Sequence, residues 1–184
     1  VELEAGRCAR VRQTIVDAGA AYSNVTVAEG DAFGVRFGLS RYAHRAGLGV
    51  DDAAARVGRA PVATVLYLNP PYDLDPVHGR LEQRFLRRFT GALVDGGVLL
   101  FVVPHYALAA SAETLAREYT DVRCYRFPAR HFRAFRQVVL YARKCPTRPV
   151  PDADIAAQVR AWAVRDDAPE GPGADSTDAG TMAD

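Results

Sequence analysis

The sequence predicts an α/β fold with a mostly parallel sheet and an antiparallel edge strand. Continuous runs of aliphatic and β-branched residues, typical of buried strands, alternate with segments whose apolar residues recur every three or four positions, as in amphipathic helices. Such alternation is typical of parallel sheets flanked by helices. The last two strand-like runs, residues 122–127 and 137–142, have no helical segment between them, so this pair is expected to be antiparallel.

The first elements are expected to be a strand, a helix and a second strand. Residues 1–3 have the character of the end of a buried strand, and the apolar spacing over residues 8–18 predicts a helix. Gly19 is a suitable place for that helix to stop, because glycine tolerates the left-handed conformation that often follows a helix. A short strand is expected over residues 24–28.

The clearest buried strand in the sequence spans residues 62–68, which are continuous, rich in β-branched side chains and followed by two prolines. Proline cannot donate to a central ladder, so a loop must begin there. A helix is predicted over residues 80–94, a turn at residues 95–97 and a buried strand over residues 98–103. Another helix is expected over residues 108–119.

The remaining segments are less regular. Residues 32–60 contain several glycines and no clear period, which predicts an irregular insertion with one helix near residues 51–57. The predicted domain spans residues 1–150 and is followed by a short helical extension over residues 151–165. Residues 166–184 are rich in Gly, Pro, Asp and Ser, and this acidic tail is expected to be disordered.

Composition limits the class of protein. The 184 residues, 49% of them hydrophobic and 24% charged, suit one soluble domain with a core, and no apolar run is long enough to predict a membrane span. The cysteines and histidines are dispersed, which argues against a disulfide framework and against a metal site, and favours the reducing cytoplasm. The net charge of +1 does not by itself indicate a nucleic-acid partner.

The most informative motif is Asn69-Pro70-Pro71-Tyr72, directly after the 62–68 strand. In an open α/β sheet, ligands bind at the carboxyl ends of strands, where this motif is expected to lie. The prolines fix the backbone and leave carbonyl acceptors, Asn69 adds another acceptor, and Tyr72 offers a ring for stacking. Converging acceptors suit a planar amino group, whose poorly nucleophilic nitrogen gains positive charge as it reacts. The alternative is a rigid turn that only ends the strand.

Several segments resemble known enzymes. Residues 62–72, with Gly96-Gly97 before a hydrophobic strand, resemble class I S-adenosylmethionine-dependent methyltransferases that carry an Asn-Pro-Pro-Tyr motif. More narrowly, residues 79–82, 126–128 and 137–139 are similar to a bacterial family of adenine-methyltransferase-like proteins. The resemblance implies a Rossmann-like methyltransferase sheet, S-adenosylmethionine as cofactor, and a catalytic role for the four residues of the motif.

The same resemblance assigns three cofactor-binding positions. Glu2 matches the acidic residue that holds the cofactor's ribose hydroxyls, and a carboxylate is suited to accept two hydroxyl donors. Asp31 matches the residue that contacts the cofactor's adenine amino group, and Phe33 is a candidate to pack on that adenine. The alternatives are a solvated terminus for Glu2, a turn residue for Asp31 and a core side chain for Phe33.

One feature of the resembling family is missing from the sequence. In that family a glycine-rich loop follows the first strand and cradles the methionine part of the cofactor, and no such motif precedes Glu2 or lies near the C-terminus. The first strand also lies at the centre of the family's sheet. We therefore interpret the chain as an N-terminally truncated methyltransferase domain that lacks the first central strand, and its activity on its own is in question.

Residues 128–136, which join the last two predicted strands, form the candidate substrate loop. Basic and aromatic side chains interleave there, which suits an extruded base and its flanking phosphates. The candidate contacts are Arg130, Phe132, Arg133 and Arg136. Phe132 is expected to face outward as a second wall opposite Tyr72, and Phe135 to belong to the core. The alternative is an ordinary solvated hairpin.

Together these expectations favour methyl transfer from S-adenosylmethionine to adenine N6 in DNA, with nucleic acid as the partner and with neither a metal nor a membrane involved. Adenine in RNA and a protein glutamine are alternative substrates, and a non-catalytic nucleic-acid-binding module is the alternative class. Arg80 and Glu82 are expected to pair with each other, to brace the loop of the motif, or to lie on a solvated helix start.

Overall fold

A computed structural model describes residues 3–19, 25, 27–34, 61, 63–128, 132 and 134–164. The chain divides into two compact units, residues 1–60 and residues 61–184. The elements of the described residues are, in chain order, α1 (Ala5–Asp17), β1 (Ala63–Leu68), β2 (Leu74–Asp75), β3 (Gly79–Arg80), α2 (Leu81–Phe89), β4 (Leu93–Pro104), α3 (Leu108–Glu118), β5 (Tyr119–Arg126), β6 (Gln137–Lys144) and α4 (Ala153–Val164).

The described part of the first unit consists of helix α1 and a short 3-10 turn over Ala32–Gly34. The predicted helix is confirmed, and so is its stop, because Gly19 has a φ of 64°, in the left-handed region that glycine adopts without strain. Residues 1–2, residues 51–57, and residues 24 and 26 lie outside the described residues. Of the strand predicted over residues 24–28, the described residues Val25, Val27 and Ala28 belong to no strand.

The second unit contains a four-stranded sheet in the order β1-β4-β6-β5. Strands β1 and β4 are parallel, whereas β6 is antiparallel to both of its neighbours. The predicted antiparallel pair is confirmed, but the predicted place of the antiparallel strand at the sheet edge is wrong, because β6 lies between β4 and β5. The sheet of the described residues is therefore mixed. The absence of a first central strand stays a prediction.

One face of this sheet is buried and the other is open. Leu99, Phe101 and Leu140 on the buried face are fully inaccessible to solvent, and α3 packs against β5, α2 and α4. On the opposite face Val65 is 58% and Tyr67 62% exposed. The predicted strand is therefore confirmed over Ala63–Leu68, but the expectation that it is fully buried is wrong, because Val65 and Tyr67 on one of its faces are exposed.

The boundary between α2 and β4 also differs from the prediction. The helix expected to reach residue 94 ends at Phe89, and Leu93 is already a buried residue of β4. The glycines predicted to form a turn lie inside this strand, where its pairing with β1 is irregular. Gly96 has a φ of 83°, and a Cβ added to Gly97 would lie 2.8 Å from Leu93 Cδ1, so both positions favour glycine.

The C-terminal helix agrees with the prediction. Helix α4 spans Ala153–Val164, within the expected extension, and packs against α3 with Val159 fully buried. The acidic tail over residues 166–184 lies outside the described residues. Within the described part of the chain, no helix has the length and apolar character needed to cross a membrane.

Candidate active site

The motif Asn69–Tyr72 lies at the sheet edge where the parallel strands β1 and β4 end. Strand β1 ends at Leu68, directly before the motif, and β4 ends at Pro104. Because β6 is antiparallel, it begins at this same edge, with Gln137 paired to Pro104. The topology thus brings a residue distant in sequence, Gln137, next to the motif.

A directed chain of hydrogen bonds joins these side chains. Gln137 Nε2 donates to the Tyr72 hydroxyl at 2.7 Å, and the Tyr72 hydroxyl donates to Asn69 Oδ1 at 2.8 Å. Asn69 is exposed and Tyr72 is half-buried. A carbonyl oxygen has two lone pairs, so the anchored Asn69 Oδ1 retains the capacity to accept a hydrogen bond from a ligand amino group.

The Tyr72 hydroxyl keeps its proton at physiological pH. Burial raises the pKa of Tyr72 above its ordinary value of 10, and the hydrogen bond donated by Gln137 partly opposes this effect. Neighbouring groups that carry negative charge when ionised raise the pKa further: Tyr67, Glu82 and Tyr106. The phenol therefore has a proton to donate, and its hydrogen-bond partner for that proton is Asn69 Oδ1.

A short hairpin follows the motif and stabilises the backbone directly after Tyr72. Strands β2 and β3 pair, and the Leu81 N–H donates to the Asp73 carbonyl at 3.0 Å. In the turn, Asp75 Oδ1 accepts from the N–H groups of Val77 and His78 at 2.8 and 3.0 Å. These two hydrogen bonds are the main causes that lower the pKa of Asp75. The Asp75 carboxylate therefore stabilises the turn at every pH at which it is ionised.

Arg80, the last residue of the hairpin, forms a largely buried ion pair with Glu82 of α2. Glu82 is fully buried, and its Oε1 accepts from Arg80 Nη2 at 2.7 Å. Glu82 is also the leading cause of the raised pKa of Arg80, whose guanidinium lies 5.1 Å from the centre of the Tyr106 ring. Among the described residues, Glu82 Oε2 and Arg80 Nε have no hydrogen-bond partner. The predicted pairing is confirmed, and the solvated alternative is wrong.

The structure corrects one prediction about the candidate substrate loop. Phe132, expected to face outward, is only 7% exposed and packs 5.9 Å from the His105 ring, whereas Phe135 is 64% exposed. The physical reason lies in the turn that ends the loop. Arg136 has a φ of 50° and its carbonyl accepts from the His105 N–H at 2.9 Å, so the extended strand β6 does not reach back to Phe135. The buried residues of β6 lie at even positions, Val138, Leu140 and Ala142, and strand alternation would not place Phe135 among them either. Arg130 and Arg133 lie outside the described residues.

The candidate cofactor residues belong to the first unit. Glu2 lies outside the described residues. Asp31 Oδ1 accepts from the Phe33 N–H at 2.9 Å, and the Asp31 carbonyl accepts from the Gly34 N–H at 3.0 Å. Asp31 is exposed and Phe33 is half-buried. Asp31 therefore shapes the turn around Phe33, and its cofactor contact stays a prediction.

Sequence reasoning did not identify two neighbours of the motif, Gln137 and Tyr106. Tyr106 follows the end of β4 and is 50% exposed, and Gln137 begins β6. A usable signal existed for Gln137, because the expected antiparallel pairing already implied that the last strand begins where its neighbour ends. Among the described residues, no group of three or more His, Cys, Asp or Glu side chains is placed to hold a metal ion.

Comparison with known proteins gives one family. A family model described as an uncharacterised methyltransferase family (DUF6094) matches residues 4–164, which include every element described above. No curated protein matches the chain.

Proposed function

The chain belongs to this uncharacterised methyltransferase family, and on that basis we propose that it transfers the methyl group of S-adenosylmethionine to an exocyclic amino group, with adenine N6 in DNA as the favoured target. The observation that carries the proposal is the exposed Asn69 Oδ1, which Tyr72 anchors at the carboxyl end of β1. The ligand-binding edge of an α/β sheet thus presents an acceptor suited to an N–H donor.

The motif residues bind and orient the target amino group. Asn69 Oδ1 accepts one of its N–H bonds, and this acceptor stabilises the positive charge that develops on the nitrogen during methyl transfer. The half-buried ring of Tyr72 provides a surface on which a planar base can stack. Pro70 is buried and Pro71 is exposed, and both restrict the backbone to one conformation. This restriction keeps the acceptor in place before the target arrives.

S-adenosylmethionine, when bound, supplies a methyl group on a positively charged sulfur. The described residues of the first unit fit a role in holding it. Asp31 presents a solvent-exposed carboxylate beside Phe33, a pair suited to the amino group and the face of an adenine. Glu2 would hold the ribose hydroxyls, as the resemblance implies.

The class of substrate is tested by methyl transfer from labelled S-adenosylmethionine. The protein is incubated with DNA that lacks methylated bases, with RNA and with a mixed protein fraction, and label is counted in each. We expect incorporation into DNA. Label in RNA alone or in protein alone would move the proposal to the corresponding alternative substrate, and no label in any of the three would support a non-catalytic binding module.

We also propose that residues 128–136 contact nucleic-acid phosphates. The expected result is that the triple substitution Arg130/Arg133/Arg136→Ala weakens binding to DNA. The slope of log K against log salt concentration should also become shallower by roughly 0.7–0.9 for each lost contact. Fluorescence anisotropy at several salt concentrations measures both quantities.

The matched control for this prediction is Arg10/Arg123/Arg160→Ala, which removes the same charge from exposed positions elsewhere. If both triple variants change the slope equally, only net charge matters and the loop has no special role. If the loop variant shows an unchanged slope and affinity, residues 128–136 do not contact phosphates and form an ordinary solvated connection.

A further inference from the structure

We propose that Gln137 is a positioning residue that acts through Tyr72 to fix which way the Asn69 amide faces. This inference rests on the proposed function, because it concerns the acceptor that the target amino group would use. The residues involved come from the start of β6 and from the motif after β1, which meet at one edge of the sheet. No contact with substrate is required of Gln137 itself.

The chemistry of the three groups determines the direction of the hydrogen bonds. An amide nitrogen only donates, so the Tyr72 oxygen accepts from Gln137 Nε2 at 2.7 Å. A phenol has a single proton, which therefore goes to the other neighbour, Asn69 Oδ1, at 2.8 Å. Because Tyr72 donates this proton, the Asn69 atom that faces it must be the oxygen, so the Asn69 amide is held with Oδ1 toward Tyr72.

The orientation matters because a side-chain amide has two chemically opposite ends. Without the Tyr72 proton, Asn69 could turn over and bring its NH₂ group to the place where Oδ1 now lies. A target amino group would then meet a donor instead of an acceptor, and an unpaired donor carries a substantial desolvation penalty. Gln137 prevents this reversal by committing the Tyr72 proton to Asn69.

The backbone holds Gln137 where this role needs it. Its carbonyl accepts from the Phe127 N–H at 3.3 Å, and Pro104 is its pairing partner in β4. The preceding residue, Arg136, has its carbonyl bonded to the His105 N–H at 2.9 Å. The start of β6 is thus tied on both sides to neighbouring chain segments. The lowering effect of Gln137 on the pKa of Tyr72 agrees with a donated hydrogen bond.

The sharpest test uses substitutions that keep the shape of Gln137 and change its polarity. Gln137→Glu places an acceptor where a donor stood, so the Tyr72 proton is drawn to residue 137 and Asn69 must turn over to donate. We expect kcat on unmethylated adenine-containing DNA to fall on the order of 10²-fold, with KM changed less than about twofold. Gln137→Leu only removes the donor, and we expect about a tenfold fall in kcat.

A double-mutant comparison separates this role from a merely structural one. In a Tyr72→Phe background no hydroxyl remains to transmit the change, so adding Gln137→Glu should alter kcat by less than about twofold. Gln158→Glu, the same change at an exposed position of α4, should leave kcat and the thermal midpoint at the wild-type values. If the effects of Gln137→Glu and Tyr72→Phe multiply, Gln137 acts by another route and the proposal is wrong.

An NMR measurement tests the inference even if no methyl transfer is found. In wild-type protein the Asn69 NH₂ protons should show no close contact with the Tyr72 ring, whereas Gln137→Glu should bring them next to it. Titration of ¹³C-labelled tyrosines, with Tyr72 assigned from Tyr72→Phe, should show a higher pKa in Gln137→Leu than in wild type. An unchanged amide orientation in Gln137→Glu would overturn the inference, while absent methyl transfer with the expected NMR changes would count against the proposed function alone.

Discussion

Replacing Asn69 with Ala should reduce the rate of methyl transfer by roughly 10²–10³-fold, by analogy with the removal of a single hydrogen-bonding group that stabilises transition-state charge. The physical reason is that Asn69, an exposed residue directly after β1, presents the side-chain acceptor Oδ1, which the Tyr72 hydroxyl holds in place. The affinity for S-adenosylmethionine should stay within about twofold, because the proposed role of Asn69 is confined to the target nitrogen. Steady-state kinetics and calorimetry measure the two effects separately.

Asn69→Asp is the informative companion variant. A carboxylate oxygen can still accept from both Tyr72 and the target, so this variant should retain far more activity than Asn69→Ala. Equal loss in both variants would mean that the acceptor oxygen is not what matters at this position. A near-normal rate in Asn69→Ala would remove the catalytic assignment altogether.

The second large effect concerns stability. Replacing Arg80 with Met should lower the free energy of unfolding by roughly 3–5 kcal/mol, toward the lower end because Arg80 is itself 24% exposed. The reason is that the fully buried Glu82 carboxylate would lose the cation to which Oε1 is bonded. Urea unfolding measures the difference, with the m-value as a check that the compactness of both states is unchanged.

Two further variants make this prediction specific. Arg80→Met/Glu82→Leu removes the stranded charge and should recover most of the loss, since a buried ion pair replaced by apolar side chains is often nearly neutral. Arg84→Met breaks a partly exposed pair with Asp75 at 3.1 Å and should lower the free energy of unfolding far less than Arg80→Met, because solvent screens this pair. If Arg80→Met unfolds like wild type, the Glu82 side chain must be able to reach water, and the pair does not support the hairpin.

The sequence predicts helices and strands well where a single helical or strand-like pattern of apolar residues runs without interruption. The run over residues 62–68 and the two prolines after it placed β1 and its end, because proline cannot donate to a ladder. The end of α2 was missed because the apolar spacing of the helix continues to Leu93, although Leu93 packs as a strand residue. An irregularity inside a strand, such as the one at Gly96 of β4, depends on the pairing partner, which local periodicity does not contain.

The same limit explains which parts of the site were found. Asn69 and Tyr72 were recognisable because they are close to each other in sequence as well as in space. Gln137 joins them through the register of β6 against β4. The expected antiparallel pairing indicated the sheet edge at which β6 begins, but local sequence does not encode this register. The burial of Phe132 likewise depends on how the loop packs beside His105, which local sequence does not encode. The positive φ of Arg136, where the loop meets β6, has no strong local signal in an arginine.

The identity of the methylated atom tests the central claim most directly. DNA that lacks methylated bases is incubated with the protein and S-adenosylmethionine, digested to nucleosides and analysed by mass spectrometry against synthetic standards. The proposed function predicts N6-methyl-2′-deoxyadenosine, with at most about one hundredth of the wild-type amount in a parallel reaction with Asn69→Ala. Methyl groups found on a ring carbon or an oxygen would contradict the account, because an acceptor aimed at an amino group contributes nothing to those reactions.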